Sequence, residues 1–331
     1  MAVAGFVGQR VGGFRLVQRL GEGSTGVVFL ATFGRAAGRT VALKIVRPEL
    51  AAEPWFAERM DRDVRTIAGL SHPHILPVYE YGTAGELTYL AMPVAAGGTL
   101  RERLALGRLG VARAWEILAD VGDALQRAHE AGAVHRDVKP ANVLFDAYGK
   151  VLVADFGVAP IHLGFAVGTP GYMAPEQALG LEADRRADVY GVAVLAFEML
   201  TGTPPYRSAS VPELLRETVR AAVPAVRDRC ADLPPGVDAA LLRGLAKSRE
   251  RRYQTVLELL LALGRVLGME PRQERARQVS RPRDVEERRF VPAVLHGASN
   301  RSPEARPAEA EPGAQLGPGR EGRREVPAGK L

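Results

Sequence analysis

A chain of 331 residues with 47% apolar and 25% charged residues has the balance of a soluble globular protein, and is long enough for two ordinary domains or one large two-lobed one. Its one cysteine, Cys230, excludes an internal disulfide framework and any cysteine-rich zinc module, and its longest apolar run, residues 189–200, falls short of the ~20 residues that cross a membrane. The net charge of +6 is spread along the chain and is too mild to predict a nucleic-acid partner; residues 1–13 lack a basic segment followed by an apolar stretch, so a cytoplasmic location is expected.

Residues 14–20, 27–33, 40–46, 75–81 and 87–92 read as strands separated by glycine-rich or polar turns. One helix interrupts them over residues 53–70, where Phe56, Met60, Val64 and Ile67 recur at helical spacing and make one apolar stripe. After Gly97 and Gly98 the pattern turns helical. Residues 109–131 carry Trp115, Leu118, Val121 and Leu125, and residues 187–200 are apolar nearly all round, as suits a helix at the centre of a helical lobe. Gly202, Pro204 and Pro205 stop that helix, and residues 214–221, 237–246 and 255–267 complete the lobe. The remainder, 269–331, is rich in proline and arginine and poor in large aliphatic residues, so it is expected to be a disordered tail with one short apolar island at 289–295. The expected fold is α+β and two-lobed: a small antiparallel sheet with one helix over 10–95, then a larger helical lobe over 96–268.

Between the first two full strands stands Gly21-Glu22-Gly23-Ser24-Thr25-Gly26. Such glycines let backbone N–H groups approach phosphate oxygens, although a plain hairpin turn reads the same way. A dinucleotide fold would need a helix next; instead the chain continues as strand to Val41-Ala42-Leu43-Lys44. Lysine occurs only at 44, 139, 150, 247 and 330, so a strand lysine here is a candidate phosphate clamp. Further on, His135-Arg136-Asp137-Val138-Lys139-Pro140-Ala141-Asn142 follows a helix, and Asp155-Phe156-Gly157 begins 18 residues beyond Asp137. Phosphoryl transfer to a hydroxyl needs a carboxylate to accept the proton, a cation at the moving phosphate and oxygen ligands for a divalent ion. Asp137, Lys139, Asn142 and Asp155 offer that set.

These motifs, in this order and ending in Gly168-Thr169-Pro170 and Ala174-Pro175-Glu176, resemble the protein-kinase superfamily, and within it the bacterial eukaryotic-like Ser/Thr protein kinases. The resemblance spans about residues 10–268 and implies a bilobal fold that takes ATP with Mg2+ or Mn2+ and acts on protein substrates. It implies that Lys44 holds the α- and β-phosphates, that Gly21, Gly23 and Gly26 cover them, and that Val28, Ala42 and Leu144 wall the adenine pocket. Met92 then precedes the hinge, where Pro93 offers a carbonyl and Ala95 an N–H. Asp137 becomes the catalytic base, Lys139 steadies the γ-phosphate, and Asn142 and Asp155 bind the metal. Asp188 resembles the aspartate that braces the catalytic loop, and Glu176 and Arg252 the pair that ties the activation segment to the helical lobe. Lys139 and the Gly-Thr-Pro sequence resemble Ser/Thr rather than Tyr kinases.

Two features depart from the family pattern. The helix residue expected to pair with Lys44 is Asp63 where relatives carry glutamate, about 1.5 Å shorter in reach, with Glu58 as the rival acid. Residues 158–168 hold no Ser, Thr or Tyr, so activation is expected without phosphorylation of that segment, through docking of Ile161, Leu163 and Phe165 or through a regulatory protein partner or self-association. The alternatives weighed are an ATP-binding pseudokinase scaffold and a small-molecule phosphotransferase of related fold. His72 and His74 lack a third ligand and are expected to be structural.

Overall fold

The structure, a computed structural model, describes residues 6–34, 39–156 and 170–269. Gly157, the segment through Thr169 and the tail from 270 onward lie outside the described residues, and with them the expectations for Ile161, Leu163, Phe165 and the tail.

The smaller lobe is built from β1 (Arg10–Val11), β2 (Phe14–Glu22), β3 (Gly26–Phe33) and β4 (Arg39–Val46), then α1 (Pro48–Ala51), α2 (Pro54–Ala68), β5 (Glu80–Ala84) and β6 (Leu87–Met92). Its six strands run in the order β1-β2-β3-β4-β6-β5, antiparallel throughout. Alternation along the strands sorts side chains onto two faces. Leu16, Phe29, Leu43, Ile45 and Tyr89 form a core on one face, while Ala42, Val46, Leu90 and Met92 pack on the other against Phe56, Met60 and Val64 of α2. Lys44, two residues from both Ala42 and Val46, therefore shares the α2-facing side. The fourth residue of the helix stripe, Ile67, belongs instead to the core of the larger lobe.

One expected strand is corrected. Residues 75–81 do not form a continuous strand: β5 starts at Glu80, and Ile75 and Leu76 are buried by other means. Ile75 makes an isolated parallel bridge to Val153, with Leu76 N–H donating to Val153 O at 2.9 Å and Val153 N–H to His74 O at 2.8 Å. Pro77 next in line has no N–H to extend that pairing.

The larger lobe holds α3 (Leu100–Leu104), α4 (Val111–Glu130), the hairpin β7 (Val143–Phe145) and β8 (Val151–Val153), α5 (Pro175–Ala178), α6 (Arg185–Thr201), α7 (Val211–Arg220), α8 (Gly236–Gly244) and α9 (Val256–Leu267). The apolar α6 is the axis of the lobe, packed by α4, α8 and α9, and it ends at Gly202. Trp115, Leu118, Val121 and Leu125 of α4 all face this core. Short elements that the hydrophobic period does not reveal begin with local signals. Thr99 and Glu102 form a capping box at α3, and Pro175 occupies the first turn of α5. Among the described residues, no helix is long and apolar enough to cross a membrane.

Candidate active site

The turn between β2 and β3 is closed by Gly23 N–H donating to Gly26 O at 2.8 Å. A Cβ on Gly26 would lie 2.2 Å from the Ile45 carbonyl oxygen, so glycine alone lets β3 approach β4 this closely. At Gly21 and Gly23 a Cβ would meet open space, which leaves room over the turn. The loop is also tied to the end of β4: Arg47 Nη2 donates to Glu22 Oε1 at 2.6 Å, and Arg47 N–H to Thr25 O at 3.0 Å.

Strand register then assembles the cleft wall. Val28 pairs with Lys44 and Ala42 with Met92, and Val28, Ala42, Met92 and Leu144 of β7 fall in one apolar cluster. Pro93 and Ala95 follow on the link out of β6, and Ala95 N–H makes no hydrogen bond among the described residues.

The residues of the 135–142 loop converge below. Lys139 Nζ donates to Asp137 Oδ2 at 2.5 Å, and Asn142 Nδ2 donates to Asp137 Oδ2 at 3.1 Å and to Asp137 O at 2.8 Å. Ala154 N–H donates to Asn142 O at 2.9 Å, which sets the adjacent Asp155 beside this group. Asp155 Oδ1 lies 2.8 Å from the buried Lys44 Nζ. Burial pushes the Asp155 carboxyl up, but the Lys44 ammonium, with Lys139 and His135, outweighs it and holds the carboxyl below its ordinary range. Two backbone positions of this group are strained: Arg136 (φ 66°) and Asp155 (φ 64°) are the non-glycine residues with positive φ among those described.

Asp63 is the correction that matters most. Expected on Lys44, it lies instead against Arg136, with Arg136 Nη1 donating to Asp63 Oδ2 at 3.1 Å, and with Arg62 Nε at 3.6 Å and Arg59 Nε at 3.8 Å. Lys44 has Asp155 in its place. The short aspartate side chain favours the longer arginine fork, and the guanidinium groups of Arg59, Arg62 and Arg136 hold it there. Burial, with Arg136 nearby, lowers the Arg59 guanidinium to about 10, a sign of how crowded with positive charge this corner is. The rival acid Glu58 is exposed.

Beneath the loop, Asp188 of α6 accepts from His135 N–H at 2.8 Å and Arg136 N–H at 2.7 Å, and contacts His129 Nε2 at 2.7 Å. Burial pushes this carboxyl up, and the hydrogen bond and charge of His129 more than offset it, leaving it below the usual range. Gly191, one turn along α6, allows that approach: a Cβ there would stand 2.8 Å from Val138 Cβ. Glu176 and Arg252 form a buried two-pronged pair at 2.7 and 2.6 Å. Tyr172 gives its hydroxyl to Glu198. His72 contacts Asp123 at 3.1 Å and His74 the Val151 carbonyl at 2.9 Å, so both rings tie the segment between α2 and β5 to the larger lobe. Two residues at this site, His129 and Gln177, stand outside the sequence motifs, the latter donating to Arg136 O at 2.8 Å. The signal for Gln177 was present, since proline then Gln at the first and third helical positions marks a helix start.

Residues 14–250 match the profile described as protein kinase domain. The chain is 37% identical over 277 residues to the serine/threonine-protein kinase PknF of Mycobacterium tuberculosis, covering 79% of this chain and 58% of that protein. It is 39% identical over 268 residues to PknB of Mycolicibacterium smegmatis, covering 76% and 43%. It thus spans about half the length of the curated relatives it matches. Among solved structures, the PknI kinase domain of Mycobacterium tuberculosis superposes with a TM-score of 0.65 at 31% identity, over 80% of this chain and 99% of that one. Fold, motif order and these likenesses agree, and the chain belongs to the protein kinase family.

Proposed function

We propose that this protein is a serine/threonine protein kinase that transfers the γ-phosphate of ATP to hydroxyls of protein substrates, with its kinase domain over residues 10–268 and a tail over 269–331. The observation that carries this reading is the convergence of Asp137, Lys139, Asn142, Asp155 and Lys44 around one cleft. Comparison with named Ser/Thr kinases supports it.

The residues fit a nucleotide and a divalent ion. The Lys44 ammonium is buried and carries three N–H donors, while one carboxylate oxygen stands beside it, so donors remain for phosphate. Asn142 spends its amide nitrogen on Asp137 and leaves its Oδ1 free of donors among the described residues; with the Asp155 carboxylate it would hold Mg2+ or Mn2+. When bound, the ion neutralises charge on the phosphates. Val28, Ala42, Met92 and Leu144 would enclose the base, with the Ala95 N–H and the Pro93 carbonyl along its edge, and Gly21, Gly23 and Gly26 would lie over the phosphates. Asp137 accepts the proton of the attacking hydroxyl, and Lys139, already on that carboxylate, sits where the moving phosphate passes.

The arrangement described is a resting one, because Asp63 is engaged by Arg136 and not by Lys44. Activation then requires α2 to exchange that partner. With no hydroxyl in 158–168, a regulatory protein or self-association, rather than a loop phosphate, would drive the exchange. The single cysteine and an ATP-dependent reaction favour a cytoplasmic site of action, with no specific nucleic-acid partner. The test is transfer of labelled γ-phosphate to a generic basic protein, alongside nucleotide binding. Wild type should bind and transfer, Asp137→Asn should bind without transferring, and Lys44→Met should lose binding. Binding by wild type with no transfer under any condition would instead make the chain a nucleotide-binding scaffold.

A further inference from the structure

Arg136, immediately before Asp137, is held at φ 66°. A non-glycine residue stays in that region only where its surroundings hold it. Its N–H is taken by Asp188 Oδ1 at 2.7 Å, and its carbonyl accepts from Gln177 Nε2 at 2.8 Å. The N–H on the far side of the same peptide unit, that of Asp137, donates to the His135 ring nitrogen Nδ1 at 3.2 Å. The peptide plane that carries Asp137 is therefore fixed at its oxygen by Gln177 and at its N–H by His135.

The other end of the Gln177 amide is also committed, since Oε1 accepts Ala174 N–H at 3.1 Å. One partner is a carbonyl and the other an N–H, so the orientation of the amide is settled by chemistry. Ala174 stands at the start of α5, directly after the turn Pro170–Tyr172 that follows Thr169. Next to it on α5, Glu176 is locked to Arg252. Helix capping accounts for the oxygen end of Gln177 alone, and a glutamate at that position caps equally well. It does not account for the nitrogen end, which reaches across to another segment of the chain.

We propose that Gln177 is a positioning residue for phosphoryl transfer: it clamps the peptide between Arg136 and Asp137 and keeps the Asp137 carboxylate in register with the segment leading into α5. The proposal rests on the kinase reading above. A misplacement of a reacting group by about 1 Å costs up to roughly 100-fold in rate, so loss of this clamp should appear in kcat. Lys44 and the cleft wall do not touch Gln177, so KM for ATP should hardly move.

The experiment compares the full-length chain with Gln177→Glu, which keeps the capping oxygen and loses the donor, and with Gln177→Met, which loses both. Steady-state transfer to a basic protein is measured together with hydrogen exchange of the peptide spanning 133–142. Both variants should lose about 10- to 100-fold in kcat with KM for ATP within about twofold, and exchange in that peptide should quicken about tenfold. If Gln177→Glu keeps the wild-type kcat and the wild-type exchange, Gln177 is only a helix cap and the proposal is overturned. If wild type transfers no phosphate, the kinase reading has failed by itself, and exchange alone decides: faster in Gln177→Glu supports the clamp, unchanged overturns it.

Discussion

Arg252→Met should be the most damaging single change outside the cleft. Arg252 has five N–H donors, and the structure gives each an acceptor: Nε to Ala246 O at 2.8 Å, Nη1 to Glu176 Oε1 at 2.7 Å and Arg186 O at 3.0 Å, Nη2 to Glu176 Oε2 at 2.6 Å and Lys247 O at 3.1 Å. Both partners are buried, Arg252 at 1% and Glu176 at 6% exposure, so water cannot replace the guanidinium. Methionine fills much of the volume but leaves a buried carboxylate without its counter-charge and the Ala246 and Lys247 carbonyls without donors. The expected cost is about 3–5 kcal/mol in urea unfolding, or a fall in Tm of roughly 6–20 °C for a domain of this size. Arg252→Lys, with three donors on one centre, should lie between wild type and methionine. Adding Glu176→Leu to Arg252→Met should recover part of the loss, because the stranded charge is gone, giving a coupling of about 0.5–3 kcal/mol. A loss below about 1 kcal/mol for Arg252→Met would refute the reasoning, since it would mean that the carboxylate finds water or another cation.

Gly26→Ala should lower both Tm and nucleotide affinity, because its Cβ would sit 2.2 Å from a backbone oxygen that cannot move without shifting β4 and Lys44; thermal melts with and without nucleotide check both effects. Lys247, which donates to Tyr206 Oη and Thr218 O, is lowered to about 8 by burial and by Arg252. The folded state then binds fewer protons than the unfolded one between that value and the ordinary lysine pKa, so wild type should gain stability relative to Lys247→Met as pH rises from about 8 to 10.5. Equal slopes in the two proteins would count against it. For Asp188, whose carboxyl also sits below its ordinary range, the slope has the same sign but falls in the acid range. Its stabilisation is fully present above the unfolded pKa of about 3.9 and is lost as pH falls through the folded value. Asp188→Asn should therefore cost about 1–3 kcal/mol at pH 7, and the gap to wild type should close in acid unfolding below about pH 4.

Much of the fold was legible in the sequence because its periods are local. The stripe of Phe56, Met60, Val64 and Ile67 placed α2, and the all-apolar stretch around Val192 to Phe197 marked α6 as the centre of its lobe. The segment around Ile75 misled because burial there comes from one bridge to Val153 and not from a ladder, and an apolar run does not tell the two apart. Asp137, Lys139 and Asn142 lie within six residues, and a tight loop can only bring them together. Lys44 and Asp155 are far apart in sequence, but the β4 register sets one and the end of β8 precedes the other, and their meeting comes from the packing of the two lobes.

The partner of Asp63 could not be read in this way. Lys44 and Arg136 both compete for one short carboxylate, and the choice depends on where α2 settles against the sheet and the catalytic loop, a balance of packing over the whole helix. Gln177 is similar: its spacing predicts a cap, but the contact with Arg136 O spans 41 residues and exists only because Glu176 is drawn under the loop by Arg252. The sequence by itself determined the chemistry, because reactive groups are written as residue types at short spacings. The tertiary structure alone decided which of several possible partners each charged group holds, because long side chains reach several neighbours and only the packing of distant elements selects one.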